Sequence, residues 1–215
     1  MRALIFANGG ATTLDIVAPW RQGGAIVIAA DGGAQRALEL GITPATVIGD
    51  LDSLPDAIRS QLGALGARFI VHPARKDETD LELALRHALQ CDAQDVVIFC
   101  ALGERWDQSL ANLMLLTLPE LRNVPTRIVD GHQTIRAVAC GTELRIEGRP
   151  GDVLSLIALG GDARGVTIRG CEYALTDAVL PFGRTLGISN VLVEPVASVS
   201  VGEGIVLAIH SRAPA

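Results

Sequence analysis

The first 130 residues alternate short apolar runs with segments of helical periodicity, and this alternation constrains the fold more than any other feature. The apolar runs of strand length are residues 4–7, 25–30, 46–48, 68–71, 96–100 and 126–129. Strands that alternate with helices are typical of a parallel sheet covered by helices. The runs end in glycine or polar residues, and sheets of this kind bind ligands outside the carboxyl ends of their strands. We therefore predict an α/β domain with a crevice along that edge.

The pattern changes near residues 130–138. Beyond this point, short runs are separated by turn patterns such as Gly160-Gly161-Asp162 and Gly202-Glu203-Gly204. Several short strands at such spacing are typical of an antiparallel sandwich or barrel. The predicted strands are residues 135–138, 144–146, 153–158, 166–168, 191–193, 198–201 and 205–209. We divide the chain into an α/β domain, residues 1–132, and an antiparallel β domain, residues 133–215.

Composition excludes several classes of protein. The formal net charge is −6 and the 18 basic residues form no block, which argues against a nucleic-acid partner. Four cysteines without a C-x-x-C pair and four scattered histidines indicate neither a zinc site nor a disulfide framework. No apolar run approaches the length of a membrane span. We expect a protein of the reducing cytoplasm that has no membrane partner.

The segment Gly49-Asp50-Leu51-Asp52-Ser53 follows the third predicted strand. Two acids spaced two residues apart in an extended loop can face one hard cation, and Mg²⁺ favours a few carboxylate oxygens completed by water and phosphate. Ser53 has an additional interpretation, because with Pro55 and Asp56 it has the pattern of a helix N-cap followed by proline in the first turn. Capping leaves Asp50 and Asp52 unexplained, so both are candidate metal ligands.

A charged cluster follows the fourth predicted strand. Lys76 is the only lysine in the chain, and it precedes Asp77, Glu78 and Asp80. Thr79 begins a capping box, so stabilisation of a helix N-terminus is an alternative explanation for Asp77 and Asp80. The density of charge exceeds what capping needs. Acids for a cation and a lysine for phosphate oxygens suit a metal-bound phosphate.

The loop after the fifth predicted strand contains Arg105, Asp107 and Gln108. The guanidinium fork of Arg105 suits phosphate oxygens, whereas Asp107 is either a helix cap or a ligand. The helix that follows is predicted to have an apolar face formed by Leu110, Leu113, Met114 and Thr117.

The chain contains no G-x-x-x-x-G-K-[ST] motif and no G-x-G-x-x-G after a strand. What remains is a set of acids at several strand ends, together with Lys76 and Arg105. Such a set suits phosphoryl-type transfer, which depends mainly on positioning and on charge neutralisation by metal ions and cations. The acids are Asp31, Asp50, Asp52, Asp77, Asp80 and Asp107.

Several motifs, in this order, resemble those of the thiamine pyrophosphokinase family. In the first half they are Asp31-Gly32-Gly33-Ala34, residues 49–53, residues 76–80 and Arg105-Trp106-Asp107-Gln108. In the second half they are Tyr173-Ala174-Leu175-Thr176, Phe182-Gly183 and Ile188-Ser189-Asn190. The resemblance implies a Rossmann-like ATP-binding diphosphokinase domain followed by a thiamine-binding β-sandwich. It also implies transfer of a diphosphoryl group from ATP to the hydroxyl of thiamine, with release of AMP, by a homodimer whose active sites lie at the subunit interface.

The resemblance implies a role for each matching residue. The ligands of Mg²⁺ would be Asp50, Asp52 and Asp80, and Asp31 would support this acidic cluster. The residues along the ATP phosphates would be Lys76, Asp77 and Thr79. The residues that bind nucleotide or orient the attacking hydroxyl would be Arg105, Asp107 and Gln108. The thiamine rings would be held by Tyr173, Ser189 and Asn190.

Three positions depart from the family pattern. Gln108 stands where many bacterial members have histidine, which leaves the general base open. Glu104 replaces an expected glycine beside Arg105, and Tyr173 occupies a position that is tryptophan in animal members. An aromatic face at Tyr173 suits the permanent positive charge of thiamine. Without the family, Tyr173 is better interpreted as a core residue of the β domain.

The residues alone leave three other functions open. One is a diphosphokinase for another hydroxymethyl heterocycle, such as a pterin. The second is a glycosyltransferase that holds a nucleotide sugar through a metal on Asp50 and Asp52. The third is a nucleotide sensor without catalytic activity.

Overall fold

The computed structural model describes residues 1–213, which fold as two compact units. The first unit is Met1–Gly131 and the second begins at His132. The strands within the first unit pair in parallel, and those within the second pair antiparallel. The protein is therefore a mixed α/β protein. Every helix in residues 1–213 is too short or too polar to cross a lipid bilayer.

Within residues 1–131, six strands form a parallel sheet. They are β1 (Arg2–Phe6), β2 (Ala25–Ala30), β3 (Thr46–Gly49), β4 (Arg68–Val71), β5 (Asp95–Phe99) and β6 (Thr126–Asp130). Their order is β4-β3-β2-β1-β5-β6, and each neighbouring pair is parallel. The order reverses between β1 and β5. In open α/β sheets, ligands bind at such a reversal, outside the carboxyl ends of the strands.

Central strands of this sheet are apolar along their whole length because both of their faces are covered. In β1, Leu4, Ile5 and Phe6 are completely buried, and Phe6 stacks on Phe99 of β5 with ring centroids 5.3 Å apart. The helices of the first unit are α1 (Leu14–Val17), α2 (Gly33–Glu39), α3 (Asp56–Ala64), α4 (Asp80–Gln90) and α5 (Trp106–Leu115).

Helix α4 begins where the capping box predicts. Thr79 is the N-cap, and its Oγ1 accepts a hydrogen bond from the Glu82 N–H at 3.3 Å. Leu81, Ala84, Leu85 and Ala88 are buried, at the spacing of one helix face. The prediction that a helix begins after Thr79 is thus confirmed.

The predicted cap of α3 is wrong. The N-cap is Pro55, and no side chain caps the helix there. Ser53 lies two residues before the cap, and its Oγ donates instead to Asp52 Oδ1 at 3.1 Å. The neighbouring Asp52 carboxylate is a charged hydrogen-bond acceptor, so the Ser53 hydroxyl has a partner without capping the helix.

Within residues 132–213, the strands are β7 (Gln133–Ala139), β8 (Glu143–Glu147), β9 (Val153–Arg169), β10 (Leu175–Leu180), β11 (Asn190–Val191), β12 (Val196–Ser200) and β13 (Glu203–Ser211). Residues 153–159 of β9 pair with β13, and residues 163–169 pair with β10 and β12. The apolar side chains that face inward along these strands form one buried cluster, which includes Leu154, Leu156, Val166 and Val199.

The predicted turn at Gly160-Gly161-Asp162 is wrong, because the chain continues through it as part of β9. The register between β9 and β13 shifts here, from Leu159 opposite Ile205 to Arg164 opposite Glu203. Gly160 has φ 70°, a value that favours glycine. It therefore accommodates an irregularity within the strand and does not reverse the chain. Strand β10 was not predicted. Its register is irregular, and Asp177 within it has φ 51°.

Candidate active site

A cavity of about 650 Å³ lies in the first unit, along the carboxyl ends of the parallel strands. The loops after β1, β2, β3, β4 and β5 contribute to its wall, as do α2, α4 and α5. The polar residues in its lining are Asn8, Asp31, Arg36, Ser53, Lys76, Glu78, Thr79, Asp80, Glu104, Arg105, Gln108, Ser109 and Asn112. This is the edge at which the strand pattern predicts a crevice.

The structure divides the residues predicted for the site into three groups. Those that line the cavity are Asp31, Lys76, Thr79, Asp80, Arg105 and Gln108. Those in the same loops of the first unit but outside the lining are Asp50, Asp52, Asp77 and Asp107. Those in the second unit are Tyr173, Ser189 and Asn190.

Glycines allow the loops around the cavity to pack closely. The Gly9 N–H donates to the Cys100 carbonyl and the Gly10 N–H donates to the Leu102 carbonyl, both at 2.7 Å. A Cβ on Gly9 would lie 2.5 Å from the Cys100 oxygen. The loops after β1 and β5 therefore meet main chain to main chain, and a side chain at Gly9 would push them apart.

Gly49 likewise allows close packing, in this case of two acids against the main chain. Its φ is 152°, and a Cβ built there would lie 3.0 Å from Asp31 Cβ and 3.1 Å from Asp80 Oδ1. Glycine at the end of β3 therefore lets Asp31, which follows β2, and Asp80, at the start of α4, approach the same main chain.

Asp31, Asp50 and Asp52 form a carboxylate group in which one oxygen from each lies within 4.8 Å of the others. Between the last two, Leu51 has φ 64° and packs its side chain into the core beside Leu54. The Asp52 N–H donates to Asp50 Oδ1 at 3.2 Å, which closes a tight turn.

Of the three acids, Asp31 gives the strongest indication that the group could hold a cation. It is 5% exposed, and within residues 1–213 its Oδ1 has no hydrogen-bond partner. Burial raises the pKa of its carboxyl above the ordinary value, and the nearby carboxylates of Asp80 and Asp50 act in the same direction. A buried, unpartnered carboxylate oxygen is costly, and coordination to a metal is one way to remove that cost. The donor set consists of oxygens from acids, which fits Mg²⁺.

Asp80 is the acid that lies closest to Lys76. Lys76 Nζ lies 3.0 Å from Asp80 Oδ1 and 3.8 Å from Asp50 Oδ2. The group of acids that could hold a metal ion in the described part of the chain thus includes Asp31 and omits Asp80. The resemblance to the family implies the reverse for these two residues.

Arg105 and Asp107 bind each other at the start of α5. Arg105 Nη2 lies 2.6 Å from Asp107 Oδ2, and both side chains are exposed. Arg105 lowers the pKa of the Asp107 carboxyl below its ordinary value. Arg105 is the N-cap residue and Asp107 lies in the first turn, so the prediction that Asp107 caps the helix is wrong.

The predicted apolar face of α5 is also wrong. Leu110 and Met114 are 53% and 56% exposed, whereas Ser109 and Asn112 are buried. Asn112 Nδ2 donates to the Ala101 carbonyl at 2.6 Å, and Ser109 Oγ accepts from the Gly103 N–H at 3.0 Å. Because these polar side chains satisfy the main chain of the loop after β5, they determine which face of the helix is buried.

Sequence reasoning missed several cavity residues. The Asn8-Gly9-Gly10 segment follows the first predicted strand, and glycine at that position is a recognisable sign of close main-chain approach to a ligand. Arg36 on α2 gave no sequence indication, because its position depends on how α2 packs.

In the second unit, Tyr173 is 65% exposed, which excludes the interpretation that it is a core residue. Asn190 is buried and hydrogen-bonded to the main chain of Tyr173. Ser189 is exposed with φ 60°, and its N–H donates to Ser155 Oγ of β9 at 3.0 Å. The Phe182 N–H likewise donates to Asp162 Oδ1 of β9 at 3.0 Å.

Comparison with known proteins gives one consistent result. The family description "Thiamin pyrophosphokinase, catalytic domain" matches residues 20–128, and "Thiamin pyrophosphokinase, vitamin B1 binding domain" matches residues 142–206. The thiamine pyrophosphokinase of Bacillus subtilis (strain 168) is 32% identical over 185 residues, which cover 86% of each chain. The crystal structure of the Bacillus subtilis thiamine pyrophosphokinase matches over 100% of both chains, with TM-score 0.88 and 29% identity. That from Geobacillus thermodenitrificans covers 100% of this chain and 99% of its own, with TM-score 0.85 and 28% identity. The chain therefore belongs to the thiamin pyrophosphokinase family of enzymes.

Proposed function

We propose that this enzyme transfers the diphosphoryl group of ATP to the hydroxyl of thiamine and releases thiamine diphosphate and AMP. The observation that carries the proposal is the charge pattern around the cavity of the first unit. Carboxylates and the cations Arg36, Lys76 and Arg105 occur together along the carboxyl edge of the parallel sheet. Transfer of a phosphoryl-type group requires mainly positioning and charge neutralisation, and this combination of charges provides both.

The triphosphate of ATP is assigned to the cavity. Its volume of about 650 Å³ is in the range of small-molecule sites. Lys76 offers a point charge to phosphate oxygens, and Arg36 and Arg105 offer planar guanidinium groups. Thr79 and Gln108 add hydrogen-bonding side chains to the same wall.

Mg²⁺ is assigned to Asp31, Asp50 and Asp52, with Asp80 beside them. When bound, the ion neutralises charge on the phosphate oxygens. Asp80 and Lys76 would then serve the phosphates as an ion pair at the edge of the metal site. Asp77 and Asp107 are exposed and close to the cavity loops, and they are the candidates for orienting the attacking hydroxyl.

Thiamine is assigned to the second unit through Tyr173, Ser189 and Asn190. The exposed ring of Tyr173 suits a ligand with a permanently positive aromatic ring. The family resemblance supports a homodimer whose active sites are shared between subunits, and exposed apolar side chains in this unit, including Phe182 and Leu186, are compatible with a partner subunit.

The proposed function implies a specialised fold for each unit. Residues 1–132 would be a Rossmann-like ATP-binding domain and residues 133–215 a thiamine-binding β-sandwich. A reducing cytoplasm suits the cysteines, because no disulfide is present among the residues described.

One incubation tests the proposal, and parallel assays with other ligands test its alternatives. Purified protein is incubated with Mg²⁺, ATP and thiamine, and the products are separated by chromatography. AMP together with thiamine diphosphate is expected. ADP with thiamine monophosphate would indicate a simple kinase instead. Turnover of a hydroxymethyl pterin but not thiamine, Mg²⁺-dependent binding of UDP-sugars but not ATP, or ATP binding without turnover would each support one of the other functions.

A substitution tests the metal assignment. Asp50→Asn should lower kcat by roughly a hundredfold, because it removes a ligand of the ion that neutralises the transferring group. A loss of less than about tenfold would mean that Asp50 is only structural.

A further inference from the structure

Asn190 uses its side chain to hold the main chain of Tyr173, which lies 17 residues before it. Asn190 Oδ1 accepts hydrogen bonds from the N–H groups of Tyr173 and Val191, both at 3.0 Å, and Nδ2 donates to the Tyr173 carbonyl at 2.8 Å. Two N–H donors face the same atom, so the orientation of the amide is determined by its partners.

These contacts leave Asn190 little to offer a ligand. An amide oxygen has two lone pairs, and both are used within the chain. The residue is 4% exposed, so the remaining N–H is also shielded from solvent. A thiamine ring that reached this loop would meet Tyr173, which is 65% exposed, and not the amide of Asn190.

The amide replaces the strand partner that Tyr173 lacks. Just before it, Cys171 forms a bridge with Leu192, and the Glu172 N–H donates to the Val191 carbonyl at 2.8 Å. Regular pairing stops there, and the Asn190 side chain then satisfies both main-chain groups of the next residue. An exposed ring has few packing contacts, so its position is set mainly by the main chain to which it is attached.

We propose that Asn190 is a positioning residue that acts on thiamine only through Tyr173. The inference rests on the proposed function in one respect, which is that Tyr173 stacks on the thiamine ring. It changes the role of Asn190 from a contact with the substrate to a support for the residue that makes the contact.

A double-mutant cycle measures the dependence. Asn190→Ala and Tyr173→Ala should each raise the KM for thiamine about tenfold, the order of one lost cation–π contact, with little change in the KM for ATP. Asn190→Ala should add almost nothing in a protein that already carries Tyr173→Ala, because the two act through one contact. Effects that multiply would show that Asn190 binds thiamine directly, and would overturn the inference.

A spectroscopic measurement needs no substrate. Tyr173 is the only tyrosine in the chain, so ¹³C-labelled tyrosine gives NMR signals from this ring alone. In the ligand-free protein, Asn190→Ala should shift and average the ring signals. Asn190→Asp, which keeps both accepted hydrogen bonds and loses the donated one, should shift them less.

The matched control is Thr142→Ala. In the wild type, Thr142 Oγ1 donates a hydrogen bond to the Ala139 carbonyl at 2.6 Å, within the same unit. The substitution removes this side-chain to main-chain bond and should leave the tyrosine signals unchanged. Ring signals that stay the same in both Asn190 variants would overturn the inference. If the wild type fails to convert thiamine, the proposed function is wrong, but the ring signals still decide the role of Asn190.

Discussion

Lys76 and Asp80, four residues apart in the sequence, form an ion pair in which Nζ lies 3.0 Å from Oδ1. The same ammonium lies 3.8 Å from Asp50 Oδ2. The only lysine of the chain thus lies beside Asp50, one acid of the candidate metal site, and beside Asp80, and it partly neutralises both. Metal and phosphate binding are expected to depend on Lys76 in opposite directions.

Lys76→Met should strengthen Mg²⁺ binding in the absence of nucleotide by a fewfold, because a competing positive charge is removed. The same change should raise the KM for ATP about tenfold or more, because a phosphate contact is lost. Calorimetry with Mg²⁺ alone and steady-state kinetics measure the two effects. Arg59→Met, an exposed change on α3 with the same loss of charge, is the control and should change neither. Weaker Mg²⁺ binding in Lys76→Met would contradict the prediction.

Asp31→Asn should stabilise the ligand-free protein while it impairs turnover. The pKa of Asp31 is raised in the folded state, so ionisation of this carboxyl destabilises the fold, and stability falls as pH rises through the interval between the ordinary and the raised pKa. The variant avoids this loss and should be more stable than wild type at pH 7. Its kcat should fall roughly a hundredfold if Asp31 helps to hold the metal.

Urea unfolding in EDTA measures the stability difference, which should disappear below about pH 4, where wild-type Asp31 is protonated. A variant that is less stable than wild type at pH 7 would show that the unpartnered Asp31 carboxylate stabilises the ligand-free fold.

Arg36→Gln should raise the KM for ATP about tenfold and leave the KM for thiamine unchanged. Arg36 lines the cavity, and its ion pair with Glu39 is exposed and long, at 3.4 Å, so the guanidinium remains available to phosphate. Glu39→Gln removes that ion pair without removing the arginine and should have little effect on either KM. Equal effects of the two changes would show that the ion pair matters and the cavity contact does not.

Asp152→Asn should destabilise the second unit. Although burial alone raises it, the pKa of the Asp152 carboxyl is lowered by hydrogen bonds from the Ala213 N–H at 3.0 Å and from His210 at 2.9 Å. A lowered pKa means that the carboxylate stabilises the fold above its unfolded pKa of about 3.9 and that this contribution is lost as pH falls below it. The variant should lose about 2 kcal/mol at pH 7.

Unfolding curves at several pH values check this, since the difference from wild type should narrow below about pH 3.9. Glu147→Gln is the control. Its exposed partner Arg145 lies 3.8 Å away, and surface pairs of this kind contribute little. A difference that does not change with pH would point to lost packing and not to lost charge.

The parts of the fold that depend on local sequence were predictable. Strand β2 was predicted at its observed bounds because an apolar run ends there in Asp31-Gly32. Thr79 was identified as a cap because capping depends on residues within one helical turn. Acids at separate strand ends were expected to meet, because parallel strands bring their carboxyl ends to one edge.

The errors occur where tertiary contacts outweigh local pattern. The side of α5 that is buried is chosen by Asn112 and Ser109, whose partners lie in another loop. The glycines at 160 and 161 resemble a turn in sequence, but the strand continues through them because it pairs with β13 on either side, at Leu159 and at Arg164. The pairing of Lys76 with Asp80 and the inclusion of Asp31 in the carboxylate group depend on distances that spacing in the sequence does not encode.

Strand β9 anchors the segment around residues 173–190 at several points. It accepts hydrogen bonds from the main chain of Phe182 through Asp162 and from that of Ser189 through Ser155. The side chains between these anchors, such as Leu186, point outward and carry little of the packing. Substitutions in this segment can therefore change which ring-containing ligand it selects. The folding stability of the second unit would stay the same, because it comes from the strands beneath the segment.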